Sequence, residues 1–322
     1  MVDILKHIPV RVVFDQFPQV ITVNSNSTIG EAFSLLSQYN IYALPVVDGS
    51  QCIGLVDYND IFAKLANQLG DVNADNIQQV SSHVQQVAVG FLSENVRQFI
   101  NFSKHNPFIT VNLETDILTV VKEFSKHKET AKRLVVLDAQ DQSRIVGVLS
   151  PSSVIRALSH YLDHPDILSV LHNKHVHDVA TIGVTTVDED MTVYDTIRTM
   201  ILKQTTSAAI TSNGSFISVV SMKDFKIFSN PANWHSLFND VGSYISNVRK
   251  NTPKAIFPVI STTLDATLER VLLRFAATKI HRMFVLNESR AAVGVISLRD
   301  VLRVFSALPL KKPMKKRHQL QD

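Results

Sequence analysis

The sequence predicts an α+β protein built from four copies of one strand–helix–strand–strand–helix unit. Three observations predict it. A short β-branched run ending in a polar turn recurs as GLVDYND (54–60), GVLSPSS (147–153), SVVSMKD (218–224) and GVISLRD (294–300). A strand-like run precedes each one: ALPVVD (43–48), RLVVLD (133–138), SAAITS (207–212) and RMFVLN (282–287). A helix-capping residue stands at near-constant distance upstream. Thr28 to Asp60 and Thr192 to Asp224 are 32 positions apart, Thr267 to Asp300 is 33, and Asp116 to Ser153 is 37. Self-similarity of this kind determines the architecture, because one unit alone would expose a sheet face and the units must pair.

The first repeat spans 8–69. Thr28 followed by Glu31 is a capping-box pattern, in which each side chain satisfies the other's backbone N–H. Ile29, Ala32, Phe33 and Leu36 then form one apolar stripe at helical spacing. Asp48-Gly49 is a hairpin turn pair, which makes the two flanking runs antiparallel strands. IFAKLANQ closes the repeat as an amphipathic helix. Residues 70–97, rich in Gln, Asn and Ser, read as an irregular or helical insertion.

The second repeat spans 98–162 and starts its helix at Asp116. Its longer spacing comes from extra residues around 128–131 and 139–144. A linker at 163–175 follows, and Pro165 ends any helix that carries His160 and His164. The third repeat spans 176–229, with Asn213-Gly214 as its hairpin turn and FKIFS as its closing helix. The fourth spans 240–306, where Leu268, Val271, Leu272 and Phe275 make a stripe and VLRVFSAL closes the unit. A basic tail, 307–322, ends the chain. It reads as a solvated tail, with a nuclear-import signal or an acidic-surface contact as alternatives.

Composition narrows the function. Hydrophobic residues make up 45% and charged residues 19%, which suits packed cores and argues against disorder. A formal charge of +3 over 322 residues does not point to nucleic acid. The single cysteine, Cys52, excludes an internal disulfide framework. No apolar stretch approaches the ~18 residues of a membrane span. Asp3, Lys6 and Arg11 interrupt the first apolar residues, unlike a secretory signal. The expected location is the cytoplasm, with the nucleus as a second one. No P-loop, G-x-G-x-x-G or G-x-S-x-G pattern occurs. Nothing pairs a nucleophile with a base, so a non-catalytic protein is expected. Five histidines (His160, His164, His172, His175 and His177) fall within eighteen residues, yet without an H-E-x-x-H pattern. A histidine-rich linker without metal is the preferred reading.

The apolar-Ser-x-x-Asp endings, the T-L-E helix start at Thr267 and the K-I-H-R segment ending at Arg282 resemble those of CBS (cystathionine-β-synthase) domains. The resemblance runs from about Ile8 to Phe305. Four such repeats without an enzyme domain resemble the gamma regulatory subunit of AMP-activated/sucrose-non-fermenting protein kinases, or a divergent plant-like relative. The resemblance implies two tandem (Bateman) modules forming a disc, with AMP, ADP or ATP as regulatory ligands in the clefts and no catalytic cofactor. It also implies kinase catalytic and beta-type scaffold subunits as partners.

The resemblance gives the motif acid to the two ribose hydroxyls, and the Ser or Thr three residues earlier to ribose or phosphate. A carboxylate suits a diol because both its oxygens only accept. Ser297 with Asp300 and Ser221 with Asp224 keep this pattern, although Ser218 replaces a glycine. Asp60 is present, but Asp57 stands at the Ser/Thr position and would repel a phosphate. Ser153 replaces the acid in the second repeat, a loss that the kinase gamma subunits share. On the second strand Lys132, Arg133, His281 and Arg282 are expected to form a phosphate-facing cluster. Tyr42 stands there where a basic residue is usual, and Ser152 where a lysine is expected. The same acids also suit helix N-caps, a role that needs no ligand.

Overall fold

The computed structural model describes residues 3–14, 19–70, 77–126, 132–250 and 259–307. The expected unit forms four times. In the first repeat β1 (Val23–Asn24) runs parallel to β2 (Ala43–Asp48), which turns back into β3 (Gln51–Asp57). The second repeat orders β4 (Thr110–Asn112), β5 (Leu134–Leu137) and β6 (Ile145–Leu149) in the same way. A short strand, β7 (Thr181–Ile182), precedes β8 (Thr186–Asp188), β9 (Ser207–Ser212) and β10 (Ser215–Ser221) of the third. The fourth contains β11 (Ser261–Thr262), β12 (Arg282–Leu286) and β13 (Ala292–Ser297).

The local chemistry explains these boundaries. The turn residues Asn213 and Gly214 both have positive φ, +49° and +78°, as the tight primed hairpin turn requires. Thr28, Thr192 and Thr267 each accept the N–H three residues on, and Asp116 accepts that of Thr119 at 2.9 Å. Thr28 and Glu31 complete the reciprocal box.

Three segments differ from the sequence reading. The insertion is largely one helix, Ile77–Leu92, whose Val84, Ala88, Phe91 and Leu92 are buried. In the linker Pro165 opens a helix, Pro165–His172, rather than only ending one; the first helical position tolerates proline because its N–H needs no partner. FKIFS lies in a 3-10 helix, Met222–Ser229, not an α-helix. Asn230 precedes Pro231, whose ring pushes it to extended backbone (φ −103°, ψ 120°), so the turn cannot propagate. The basic tail beyond 307 and the extra residues 128–131 lie outside the described residues.

Two large hydrophobic clusters occur among the described residues, and they do not follow chain order. One joins the first and third repeats and places Phe62 edge-on to Phe225, at 5.7 Å between ring centroids. The other joins the second and fourth through Val121, Ile155, Leu272 and Val301. Sheets make the remaining contacts. Cys52 and Leu55 of the first repeat pack on Val135 of the second. Phe216 of the third meets Phe284 of the fourth at 5.7 Å.

Each repeat also lends its lead-in to a partner. Val10 donates to Thr115 of the second repeat, and Val96 donates back to Ser27 of the first. Val176 donates to Ala266 of the fourth, and Val241 back to Met191 of the third. All four valines are fully buried. Repeats 1 and 2, and repeats 3 and 4, are thus paired by exchanged segments as well as by sheets. β7 continues this exchange by adding to the edge of β13.

Candidate functional site

Every one of the four motifs closes a capping box, so each acid or its substitute has a local structural task. In the fourth, the N–H and hydroxyl of Ser297 donate to Asp300 Oδ2 at 2.8 and 2.6 Å. Arg303 donates to Oδ1 at 2.9 Å. In the third, the same two groups of Ser221 donate to Asp224 Oδ2, both at 2.7 Å. Arg249, on the helix Val241–Lys250, reaches Oδ1 at 3.0 Å. In the second the box is made of hydroxyls. The Ser150 N–H donates to Ser153 Oγ at 2.9 Å, and the Ser153 hydroxyl donates to the Ser150 carbonyl at 2.8 Å.

The first repeat is built differently. Asp57 caps the helix Tyr58–Leu69 by accepting the N–H groups of Asn59 and Asp60 at 2.7 and 3.1 Å. Its other oxygen accepts from the side-chain amides of Asn59 and Asn106. The Asp57 N–H donates to Asp60 Oδ2 at 2.9 Å. Ser103 then donates to Asp60 Oδ1 twice, from its N–H at 2.9 Å and its hydroxyl at 2.6 Å. Asp60 is 0% exposed. Burial, and then the Asp57 charge, raise its carboxyl well above the ordinary carboxylate range, while the Ser103 bonds oppose that. The donors Ser103 and Asn106 belong to the second repeat's lead-in, which lies over the first repeat's acid.

The expected basic cluster converges, and it does so on a tyrosine. The Tyr42 ring lies against His281, tilted by 39° with 4.7 Å between centroids. Lys223 Nζ lies 4.2 Å from the ring centre and the Arg133 guanidinium 5.5 Å. One group from each repeat therefore meets at this point. Arg282 donates to Ser207 Oγ at 2.6 Å across the third–fourth pair. Lys132 Nζ is buried and has no hydrogen-bond partner among the described residues.

Desolvation dominates the electrostatics there. It pushes Lys132 down to about 7, against the pull of Asp57 and together with repulsion from Arg282 and Arg299. It pushes His281 down to about 3, helped by Arg133, Lys223 and Arg282, so that imidazole is neutral at pH 7. Lys223 falls to about 8 and Arg282 to about 10, burial being the first cause of each. Tyr42 rises to about 12 because burial and Asp224 oppose a phenolate. A cluster of depressed cations favours an anion, which would restore each group's charged form.

The structure thus brings together Lys132, Arg133, His281 and Arg282. The Ser221–Asp224 pair is tied to the same centre by Lys223, and Ser297–Asp300 by Arg299. Lys223 and Arg299 were absent from the sequence reading, although they occupy one repeated position, immediately before the motif acid, where Ser152 was noted as lacking a lysine. The Ser103 cover had no signal in the motif itself. A cleft of about 640 Å³ opens between the first and second repeats, lined by Gln19, Val47, Asp138 and Arg144, and holds none of the motif acids. A smaller one of about 220 Å³ opens between the first and third, lined by Asn59, Lys104, His105 and Gln204, beside the Ser103 cover.

The CBS domain model matches residues 14–67, 100–160, 176–228 and 254–307. Among curated proteins the chain is similar to Protein SDS23 of Meyerozyma guilliermondii, 23% identical over 84% of this chain and 55% of that one. Protein SDS23 of Candida albicans is 23% identical over 87% of this chain and 48% of its own length. The chain spans about half the length of the curated relatives it matches. Among solved structures it is similar in fold to protein MJ1225 of Methanocaldococcus jannaschii. The TM-score is 0.71 at 18% identity, covering 92% of this chain and all of that one. An uncharacterized conserved protein from Pyrococcus horikoshii gives a TM-score of 0.52 at 15% identity, over 92% of this chain and 100% of its own.

Proposed function

The chain belongs to the CBS domain family, and on that premise we propose that it is a non-catalytic regulatory module that binds an adenine nucleotide between its paired repeats. The observation that carries this reading is the meeting of Arg133, Lys223 and His281 around Tyr42, with Arg282 coupled electrostatically to that group and to Lys132, whose buried ammonium has no hydrogen-bond partner among the described residues. Phosphate oxygens would supply the acceptor that Lys132 Nζ lacks. The ribose acceptors are Asp300 and Asp224. In both, Oδ2 is committed to the cap while Oδ1 is held by an arginine side chain, which can turn aside or itself take a phosphate. Asp60 ranks last, because backbone and hydroxyl donors of a packed segment fill its Oδ1.

The geometry suggests how binding is felt. An anion drawing Lys223 and Arg133 off the Tyr42 ring changes contacts between repeats, not within one. A ligand shifts such an equilibrium only as far as it binds the two packings differently. The partners in this reading are the catalytic and beta-type scaffold subunits of a protein kinase, with AMP, ADP and ATP as ligands. The Methanocaldococcus jannaschii protein, itself proposed as an archaeal homolog of g-AMPK, supports that direction through its shared fold. The cytoplasm and nucleus are the proposed locations.

A thermal-shift panel with AMP, ADP, ATP and S-adenosylmethionine tests the reading, since a ligand that binds the folded state raises stability by RT ln(1 + [L]/Kd). Stabilisation that disappears in Asp300→Ala or Asp224→Ala, both still folded, is the expected outcome. No shift with any ligand at millimolar concentration would establish the second reading, an interaction scaffold that has lost nucleotide binding. The sealed Asp60 and the tyrosine at the centre favour that one. Affinity capture with mass spectrometry of the co-purifying subunits tests the kinase partner separately.

A further inference from the structure

The third repeat's lead-in carries a second chemistry-bearing cluster, far from the motif acids in sequence. Its residues are His175, Val176, His177 and Asp178. The valine is fully buried like its three counterparts, and Asp178 closes a capping box on the His175 N–H, whereas neither imidazole is needed for these tasks. Those counterparts are flanked by Pro9 and Arg11, by Asn95 and Arg97, and by Asp240 and Gly242. The lead-in fold therefore does not call for histidine at either flank.

Here the two histidines and the acid are arranged as ligands. One nitrogen each from His175 and His177 and one carboxylate oxygen of Asp178 all lie within 4.8 Å of one another. The two rings stack nearly parallel, 7° apart in plane and 5.4 Å between centroids. His177 Nδ1 lies 3.1 Å from the Leu264 carbonyl. A carbonyl only accepts, so Nδ1 is the donor there, and Nε2 is the nitrogen that faces Asp178, 3.5 Å from its Oδ1. Asp178 Oδ2 is already held by the His175 N–H at 2.9 Å, which leaves Oδ1 as the oxygen that faces His177. Nε2 and Oδ1 thus face each other across a gap that a proton or a metal cation would bridge. A backbone carbonyl orienting one imidazole nitrogen so that the other can bind is the usual outer partner of a metal-bound histidine.

We propose that His175, His177 and Asp178 bind a divalent ion of the zinc class, with water completing the coordination. Two imidazoles and a carboxylate suit such a borderline metal better than magnesium or calcium, which prefer oxygen donors. The site lies on the seam of an exchange. His177 N–H donates to Leu264 and Val176 N–H to Ala266, while Leu268 N–H donates back to Lys174. The bound ion holds the third repeat's lead-in on the fourth repeat, and its function is bracing, not catalysis.

Equilibrium dialysis of the full chain against Zn²⁺, followed by elemental analysis, tests this. The expected result is one Zn²⁺ per chain and a rise in Tm. His175→Ala and His177→Ala each weaken retention at least about tenfold, a loss that even outer partners of a metal ligand cause. Asp178→Asn, which keeps an acceptor for the His175 N–H, also weakens it and separates loss of charge from loss of the local fold. The double variant His160→Ala/His164→Ala keeps full retention. No stoichiometric Zn²⁺ in the parent chain overturns the proposal. So does retention unchanged in the His175→Ala/His177→Ala double variant, or lost equally in the His160/His164 control.

Discussion

The first and fourth repeats start their last helices with the same reciprocal box, yet they treat its acid in opposite ways. Asp300 shares Oδ1 with one arginine side chain that is itself 37% exposed. Asp60 gives Oδ1 to a serine N–H and hydroxyl from the neighbouring lead-in and is wholly buried. A cap position therefore does not by itself make a binding site. What decides is the segment that the partner repeat lays across it. Over the fourth repeat that segment runs as β7 beside β13, with the Gly183 N–H still bonded to Val293, and the bonds described for Asp300 come from Ser297 and Arg303 instead.

The largest expected effect is on stability. Asp60→Ala strands the Ser103 and Asp57 N–H groups in a buried place, at about 1–3 kcal/mol each. Asp300→Ala keeps the N-cap Ser297 and removes the acceptor that reciprocates it, a loss of about 1 kcal/mol. Urea midpoints of the two variants should therefore differ clearly, and equal midpoints would break the comparison. Ser103→Ala sharpens it: one hydroxyl donor is lost, the N–H bond remains, and about 1 kcal/mol is the expected cost with no change in ligand stabilisation.

The next effect is on pH dependence. Lys132 holds its proton less tightly in the folded chain (about 7) than in the unfolded chain, where ~10.4 is usual. The unfolded state thus binds more protons between those values, and stability rises with pH across that window. The penalty is complete below about 7. In Lys132→Met the gain in urea midpoint between neutral pH and pH ~9 should shrink, because this linkage is gone. Nucleotide affinity should run the other way in the parent chain, falling as pH rises and Lys132 loses its charge, and calorimetric titration at several pH values reads it. An affinity that does not change with pH would remove Lys132 from the anion site.

The smallest effect is expected in the second repeat. Ser153→Asp keeps the N-cap Ser150 and replaces one acceptor of its N–H by another, so stability should move by less than about 1 kcal/mol. It should create no nucleotide stabilisation, because Phe14 already lies against Gly147, within 2.5 Å of where a Cβ would stand. A new ligand shift in this variant would mean that the acid alone makes a site.

Much of the fold was legible because its signals are local. Caps, hairpin turns and apolar stripes act over a few residues, and Thr28, Asp116, Thr192, Thr267 and Asn213-Gly214 do what their types dictate. FKIFS carries a helical pattern yet forms a 3-10 helix, because Pro231, just beyond it, limits the turn. The site was legible as a set of positions, Lys132 and Arg133 with His281 and Arg282, but not as a geometry. Tyr42 stood out as a missing cation, and in the fold it is the ring on which the others' cations gather. Lys223 and Arg299 could have been found by reading one more column of the repeated motif.

The sequence alone determined that there are four repeats and which of them keep a Ser-x-x-Asp ending, since period and capping chemistry are properties of neighbouring residues. The tertiary structure decided that the lead-ins are exchanged, that helices pair the first repeat with the third and the second with the fourth, and that Ser103 closes one acid while another keeps a movable partner. Those outcomes depend on groups tens to hundreds of positions apart, from Asp60 and Ser103 to Tyr42 and His281. Only the packed fold brings them within hydrogen-bonding or ring-contact distance.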